Sequence, residues 1–218
     1  MEEKSEPFEI DPKERILKAA YRIFLAKGLP GARTREIARE ARVNLAMVHY
    51  YFRSKDELYQ QVVSPLLIHF FYRLKKASES DPDPKKRLEA VIHTYFDFLS
   101  GEPDFPRFMI WELTTGAVIL KKIFSGPLDE KRKGLVANMR NIFRDGKEKG
   151  FFRAHTVDQA VLSLIALCIF PFVAKDVITV MNPDWKHRPD FLEERRRHIL
   201  DLMMYGLSAG ERGGYEEA

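Results

Sequence analysis

Apolar residues recur along this chain at three- and four-residue intervals, and glycines and prolines cut the pattern into helix-length pieces. Asp11 followed by Pro12 reads as an N-cap with proline at the first helical position. Ile16, Leu17, Ala20, Ile23 and Phe24 then follow at helical spacing until Gly28, predicting a first helix of about four turns. Thr34 is expected to cap a short second helix carrying Ile37, Ala38 and Ala41, with Glu36 at the positive end of its dipole. Asn44 is expected to cap a third, carrying Val48, Tyr51 and Phe52. Ser54-Lys55-Asp56-Glu57 has the form of a capping box and opens a long fourth helix to about Ser78, which Pro65 is expected to kink.

Beyond the breaker Asp81-Pro82-Asp83-Pro84 the pattern predicts helices near 84–100, 104–124, 127–149, 157–180 and 190–208, jointed at Glu102-Pro103, Gly126-Pro127, Gly150 and Asn182-Pro183. No segment alternates as a strand would. The expected fold is all-α with about nine helices: a three-helix N-terminal domain over residues 1–55, ordered from about 11, and a larger helical domain over 56–218 whose tail from about 210 has too little apolar content to order itself. Thirteen of the fifteen residues from Ala160 to Ala174 are apolar. As a helix, Ala160 to Val173 reaches only about 21 Å and contains Pro171, so it reads as a core helix rather than a membrane span.

Charge changes the picture more than composition does. The whole chain of 218 residues carries 36 basic and 32 acidic residues, net +4, but Lys13 to Lys55 holds eleven basic and three acidic residues, +8, which leaves −4 for the remainder. A basic N-terminal module on a slightly acidic partner is the footprint of nucleic-acid binding, or else a solvated charge-rich surface. The single cysteine, Cys168, permits no internal disulfide and no cysteine-based zinc site. The acidic start lacks the basic and apolar regions of a secretory signal, so a cytoplasmic location is expected.

Only Ala41-Arg42-Val43 separates the second and third helices, which forces a tight corner and lets Ala38, Val43, Val48 and Phe52 meet beneath the first helix: a helix-turn-helix. The third helix then faces outward with Asn44, Ala46, Met47, His49 and Tyr50. Small Ala46 permits close approach to base edges, Leu45 or Met47 can touch a thymine methyl, and Asn44 or His49 can hydrogen-bond to a base or a phosphate. Tyr50, Thr34 and Lys55 lie at element ends suited to phosphate oxygens.

The stretch TREIAREARVNLAMVHYYFRSKDELY, residues 34 to 59, resembles the DNA-binding signature of TetR-family transcriptional regulators, above all in Tyr-Phe followed by a short lysine-containing capping box. The resemblance implies a homodimer that places its third helices in the major groove of a palindromic operator, and a C-terminal ligand-responsive domain that usually represses transcription. By position it implies phosphate contacts at Thr34, Arg35, Tyr50 and Lys55, and base-reading positions at Asn44, Leu45, Ala46, Met47 and His49. Arg33 and Arg42 complete the expected DNA-facing set. Arg42 departs from the family pattern, because it stands where the turn usually has glycine and must therefore tolerate a left-handed backbone.

An aromatic stripe from Phe96 to Phe152 supplies either ordinary core or the wall of an effector cavity. The expected ligand-facing residues are His93, Phe96, Phe108, Trp111, Glu112, Thr115 and Phe170, for an unidentified small, largely apolar effector. The apolar eighth helix and the amphipathic ninth are expected to pair with a second copy through Leu164, Cys168, Phe172, Leu192, Ile199, Leu202 and Met203, or alternatively to form an internal core. Catalytic chemistry is thinly represented. His93 with Asp97 and Glu194 with His198 have ligand spacing but no third partner, and Asp145 to Gly150 lacks the preceding strand of a phosphate loop. No cofactor, no metal site and no enzymatic activity are expected. An all-helical enzyme with a cryptic site, or a helical dimer acting through protein contacts alone, are the competing readings.

Overall fold

A computed structural model describes residues 11–126, 128–152, 157–184 and 190–207. The expected tail from about 210 and the first ten residues lie outside this set. The described residues form eleven helices and no strand element: α1 (Pro12–Gly31), α2 (Thr34–Glu40), α3 (Leu45–Tyr51), α4 (Lys55–Ser78), α5 (Pro84–Gly101), α6 (Phe105–Thr114), α7 (Val118–Phe124), α8 (Asp129–Glu148), α9 (Val157–Val173), α10 (Lys175–Met181) and α11 (Phe191–Leu207).

The all-α expectation holds, with two predicted helices each divided. The segment 104–124 breaks at Gly116 (φ 87°) and Ala117 (φ 54°), whose left-handed backbones end α6 and start α7. The segment 157–180 breaks at Ala174, where α9 and α10 bend by 70°. No single described helix is long and apolar enough to cross a membrane; only the bent pair reaches that length and composition.

Several caps form as the sequence dictates. Asp11 accepts from the Lys13 N–H at 3.0 Å, Asp83 from the Lys85 N–H at 2.9 Å, and Asn44 from the Met47 N–H at 2.8 Å. Each satisfies a donor left unpaired at a helix start. Thr34 does not cap α2: it is the first helical residue, and Arg33 occupies the N-cap position without a side-chain bond. The box at α4 is shifted by one residue on its return arm. Ser54 Oγ accepts from Glu57 N–H at 3.1 Å, while the Glu57 carboxylate accepts from Arg53 N–H rather than from Ser54.

The chain divides into two compact units. The first combines Met1–Leu67 with Arg107–Pro127, so α6 and α7 are grouped with the three-helix module; the second combines Ile68–Pro106 with Leu128–Ala218. In the second, α5 packs against α8, α9 and α11. Its centre is an aromatic cluster in which Phe70 meets Phe98 at 4.5 Å, Tyr95 at 5.2 Å and Phe105 at 5.4 Å between ring centroids. The edge and tilted geometries are those that aromatic quadrupoles favour. An Arg87–Asp145 bridge at 2.6 Å ties α5 to α8 and holds the Asp145 carboxyl below its usual range.

At the end of α8, Gly146 is fully packed: a Cβ there would collide with the Phe152 ring. Gly146→Ala is therefore expected to lower stability by about 1–3 kcal/mol through overpacking, read as a reduced denaturation midpoint in urea.

Candidate nucleic-acid interface and effector residues

The three-helix module is built on small residues. Ala19 and Ala20 of α1, Ala38 of α2 and Ala41 beyond it are buried together with Ile16, Ile23, Phe24, Ile37, Val48 and Phe52. Their short side chains let three helices approach closely while the larger ones fill the space between. Val43, expected in this core, is only half-buried.

The α2–α3 corner has the hydrogen bonds of a Schellman motif. Arg42 N–H donates to the Arg39 carbonyl at 3.1 Å and Val43 N–H to the Ala38 carbonyl at 3.0 Å. Such a corner needs a left-handed residue, and Arg42 supplies it with φ 55°. The expected strain at the missing glycine is thus present, and the Arg42 side chain points to solvent.

From this corner α3 projects Asn44, Ala46, His49 and Tyr50 outward; Tyr50 is 83% exposed. Leu45 and Met47 are half-buried. Asn44 has already committed its carbonyl oxygen to the cap, which leaves its amide protons for a partner. Arg33 and Arg35 are exposed and Thr34 half-buried at the start of α2. Acids on α2 are drawn back toward α1: Lys27 bridges Glu36 at 2.5 Å and Arg22 bridges Glu40 at 3.1 Å. The hydrogen bond from Lys27 holds the Glu36 carboxyl below its usual range. The outer rim of the corner is left strongly cationic.

Lys55, the expected phosphate anchor, has partners within the module. Its Nζ donates to the carbonyl oxygens of Leu29 at 2.8 Å and Ala32 at 3.2 Å, so two of its three protons tie the start of α4 to the α1–α2 connection.

The family described as bacterial regulatory proteins, tetR family, matches residues 16–62, and the tetracyclin repressor-like C-terminal domain matches residues 84–203, more than half of the chain. The chain belongs to the TetR family. It is 28% identical over 200 residues to the HTH-type transcriptional repressor NicS of Pseudomonas putida, covering 89% of this chain and 92% of NicS. Two solved structures share the fold. The ketosteroid transcriptional regulator KstR2 of Mycobacterium tuberculosis superposes with TM-score 0.70 at 17% identity, covering 92% of this chain and 96% of KstR2. The transcriptional regulator FadR of Bacillus subtilis in complex with stearoyl-CoA gives 0.65 at 19% identity, covering 89% and 99%. This TetR-family protein is accordingly a transcriptional regulator with a helix-turn-helix.

Of the seven expected effector residues, Phe108, Trp111, Glu112 and Thr115 belong to the first compact unit and His93, Phe96 and Phe170 to the second. In the first unit their groups have other partners. Phe108 packs on Tyr59 at 6.1 Å, and the Thr115 hydroxyl donates to the Trp111 carbonyl at 2.6 Å. Trp111 lies over Gly28, where φ is 66° and an added Cβ would come within 3.0 Å of the indole. Glu112, only 3% exposed, accepts from Tyr59 OH at 2.5 Å and from Leu120 N–H at 3.3 Å. In the second unit, Phe96 stacks edge-on to Phe172 at 5.5 Å, His93 lies 3.6 Å from Glu89, and Phe170 points to solvent. Within the first unit, an open groove of about 550 Å³ lies between Leu17, Tyr21 and Arg22 of α1 and Gln61, Val62 and Pro65 of α4. Residue types typical of a helix surface gave no signal for it.

Most of the expected self-association residues are withdrawn from the protomer surface, as the internal-core alternative would have them. Leu164, Cys168, Ile199 and Met203 are buried within the protomer, and Phe172 and Leu192 are half-buried; Leu202 alone of that set is exposed. Burial pushes the Cys168 thiol up to about 12, so it behaves as a small core side chain. The exposed large apolar residues of α9 are Leu162, Ile165 and Phe170. Asp97, one half of a sequence-level ligand pair, is bridged by Arg196 at 3.0 Å. Among the described residues no three His, Cys, Asp or Glu side chains converge as metal ligands would.

Two outcomes check this geometry. Arg42→Gly is expected to stabilise the protein by about 1 kcal/mol, because glycine adopts the left-handed corner without the Cβ clash; urea denaturation measures it. Burial, then the hydrogen bond to Glu112 and its charge, raise the Tyr59 phenol above its usual value. The unfolded phenol ionises near pH 10, so this contribution is present below about pH 10 and is lost as pH rises further. Tyr59→Phe is expected to cost about 1–3 kcal/mol at neutral pH by depriving buried Glu112 of a donor, with the gap to wild type narrowing above about pH 10.

Proposed function

We propose that this regulator is a repressor that binds a palindromic operator as a homodimer and is released by a small, largely apolar effector. The observation that carries the reading is the outward face of α3, where Ala46, His49 and Tyr50 are exposed beside a cationic rim of Arg33, Arg35 and Arg42. Residues 1–55 are assigned to DNA binding and 56–218 to effector binding and self-association. Within the first, Asn44, Leu45, Ala46, Met47 and His49 read base edges, while Thr34, Arg35 and Tyr50 hold phosphates. Lys55 acts chiefly by fixing the start of α4 against the α1–α2 connection.

NicS is named a repressor, which supports repression as the output. FadR is described with stearoyl-CoA and KstR2 as a ketosteroid regulator, which supports an effector with a large apolar body. Two recognition helices must land about 34 Å apart, or at a near multiple, so a ligand that favours another spacing releases DNA. A differential affinity of about 3 kcal/mol is enough for more than a hundredfold effect.

The test is binding to the DNA upstream of the protein's own gene over a range of salt concentrations. His49→Ala is expected to change base preference at one position of each half-site. Arg35→Ala is expected to weaken binding to all sequences and to flatten the slope of log affinity against log salt by about 1 for each phosphate per duplex that no longer meets a guanidinium. Equal weakening with unchanged preference in both variants would contradict these roles, and salt-independent or absent DNA binding would contradict the reading itself.

A further inference from the structure

Asn44 reaches the outward side of the helix-turn-helix with one end of its amide already engaged. A backbone N–H can be satisfied only by an acceptor, so the Met47 N–H, 2.8 Å from Asn44 Oδ1, fixes which end of the amide turns toward α3. The Asn44 backbone, at φ −73° and ψ 156°, has the extended conformation of an N-cap, and the residue is exposed. What the side chain has left for a partner is its Nδ2 group, which only donates.

The rest of α3 adds little competing chemistry. Val43 to Phe52 contains no Arg, Lys, Asp, Glu or Gln, so Asn44 is the one residue of this segment whose type forms paired bonds to a base edge. It stands at the amino end of the exposed face that Ala46, His49 and Tyr50 share at i, i+3, i+4 spacing. Asparagine ordinarily reads adenine by accepting from N6 while donating to N7. With Oδ1 held on the Met47 N–H, the accepting half of that pair is withdrawn. A donor-only group is best served by the base with the most acceptors. Guanine offers N7 and O6 side by side, thymine offers O4 beside a bulky methyl, and adenine and cytosine each bring an amino group that opposes another donor.

We infer that Asn44 selects a guanine in each half-site, its Nδ2 protons meeting N7 and O6 in the major groove while Oδ1 stays on the Met47 N–H. The inference rests on the DNA-binding reading proposed above and deepens it by naming a base and the atoms that recognise it. The cap thus has two roles: it starts α3 and it sets the polarity of the base contact. Exchange of the amide for a carboxylate separates them, because aspartate caps a helix as well as asparagine does but offers acceptors alone.

The experiment selects bound duplexes from a randomised library with the full-length wild type and with Asn44→Asp, circular dichroism confirming the helix content of both. The expected result is one guanine per half-site in the wild type, favoured at least about fivefold over each other base, and its replacement by cytosine in the variant, since a carboxylate accepts from N4. Wild-type affinity for the selected duplex is then measured with 7-deazaguanine, which carries C–H in place of N7, at each guanine in turn. A loss of similar size is expected at that same guanine. Unchanged affinity at every guanine overturns the inference even if the variant does not fold. Identical preferences in both proteins, with the variant binding all duplexes more weakly, assign Asn44 to a phosphate and overturn the inference while leaving DNA binding intact. A wild-type preference for adenine that the variant loses overturns it likewise, by showing that Oδ1 leaves the cap. Failure of the wild type to enrich any duplex overturns the DNA-binding reading and the inference together.

Discussion

The orientation of α3 depends on one backbone corner, in which two N–H groups after α2 turn back to the carbonyls of Ala38 and Arg39. Those bonds require Arg42 to hold a left-handed conformation that glycine would adopt without strain. Buried alanines of α1 and of α2 up to the corner keep the helices close enough to hold it. A side chain at that position costs stability but adds a cation to the rim that already carries Arg33 and Arg35. The same residue therefore trades fold stability against surface potential.

The grouping of α6 and α7 with the DNA-binding module gives the first compact unit its second feature. A buried carboxylate is costly unless it is hydrogen-bonded, and Glu112 meets that requirement with the Tyr59 hydroxyl of α4 and the backbone of Leu120 in α7. Trp111, one residue earlier, closes over Gly28, where the backbone of α1 departs from helical geometry. Four elements, α1, α4, α6 and α7, are thereby joined by polar and aromatic contacts. Lys55 adds a fourth tie by capping carbonyls near the end of α1.

Much of the architecture was legible because local physics fixes it. Asp11 and Asn44 cap helices because their short acceptors meet unpaired N–H groups wherever such a residue precedes a helical run. The cut at Gly28 and the departure at Arg42 were readable for the same reason. The misreadings share a different cause. Thr34 lies one residue inside α2, a register that only the path of the preceding backbone sets. Ala117, after Gly116, and Ala174 interrupt predicted helices although alanine is a strong helix former, so propensity alone did not mark these breaks.

The amino-acid sequence by itself determined an all-helical chain, a cationic helix-turn-helix near the amino terminus, and the outward residues of its third helix, because amphipathic periodicity and caps act over a few residues. The tertiary structure decided which side of α9 faces inward, since a helix apolar all round carries no periodic signal to choose between Leu164 and Leu162. It also decided that Lys55 caps a neighbouring helix and that Glu112 is buried against Tyr59. Those partners lie 26 and 53 residues apart in the chain, beyond the reach of any local pattern.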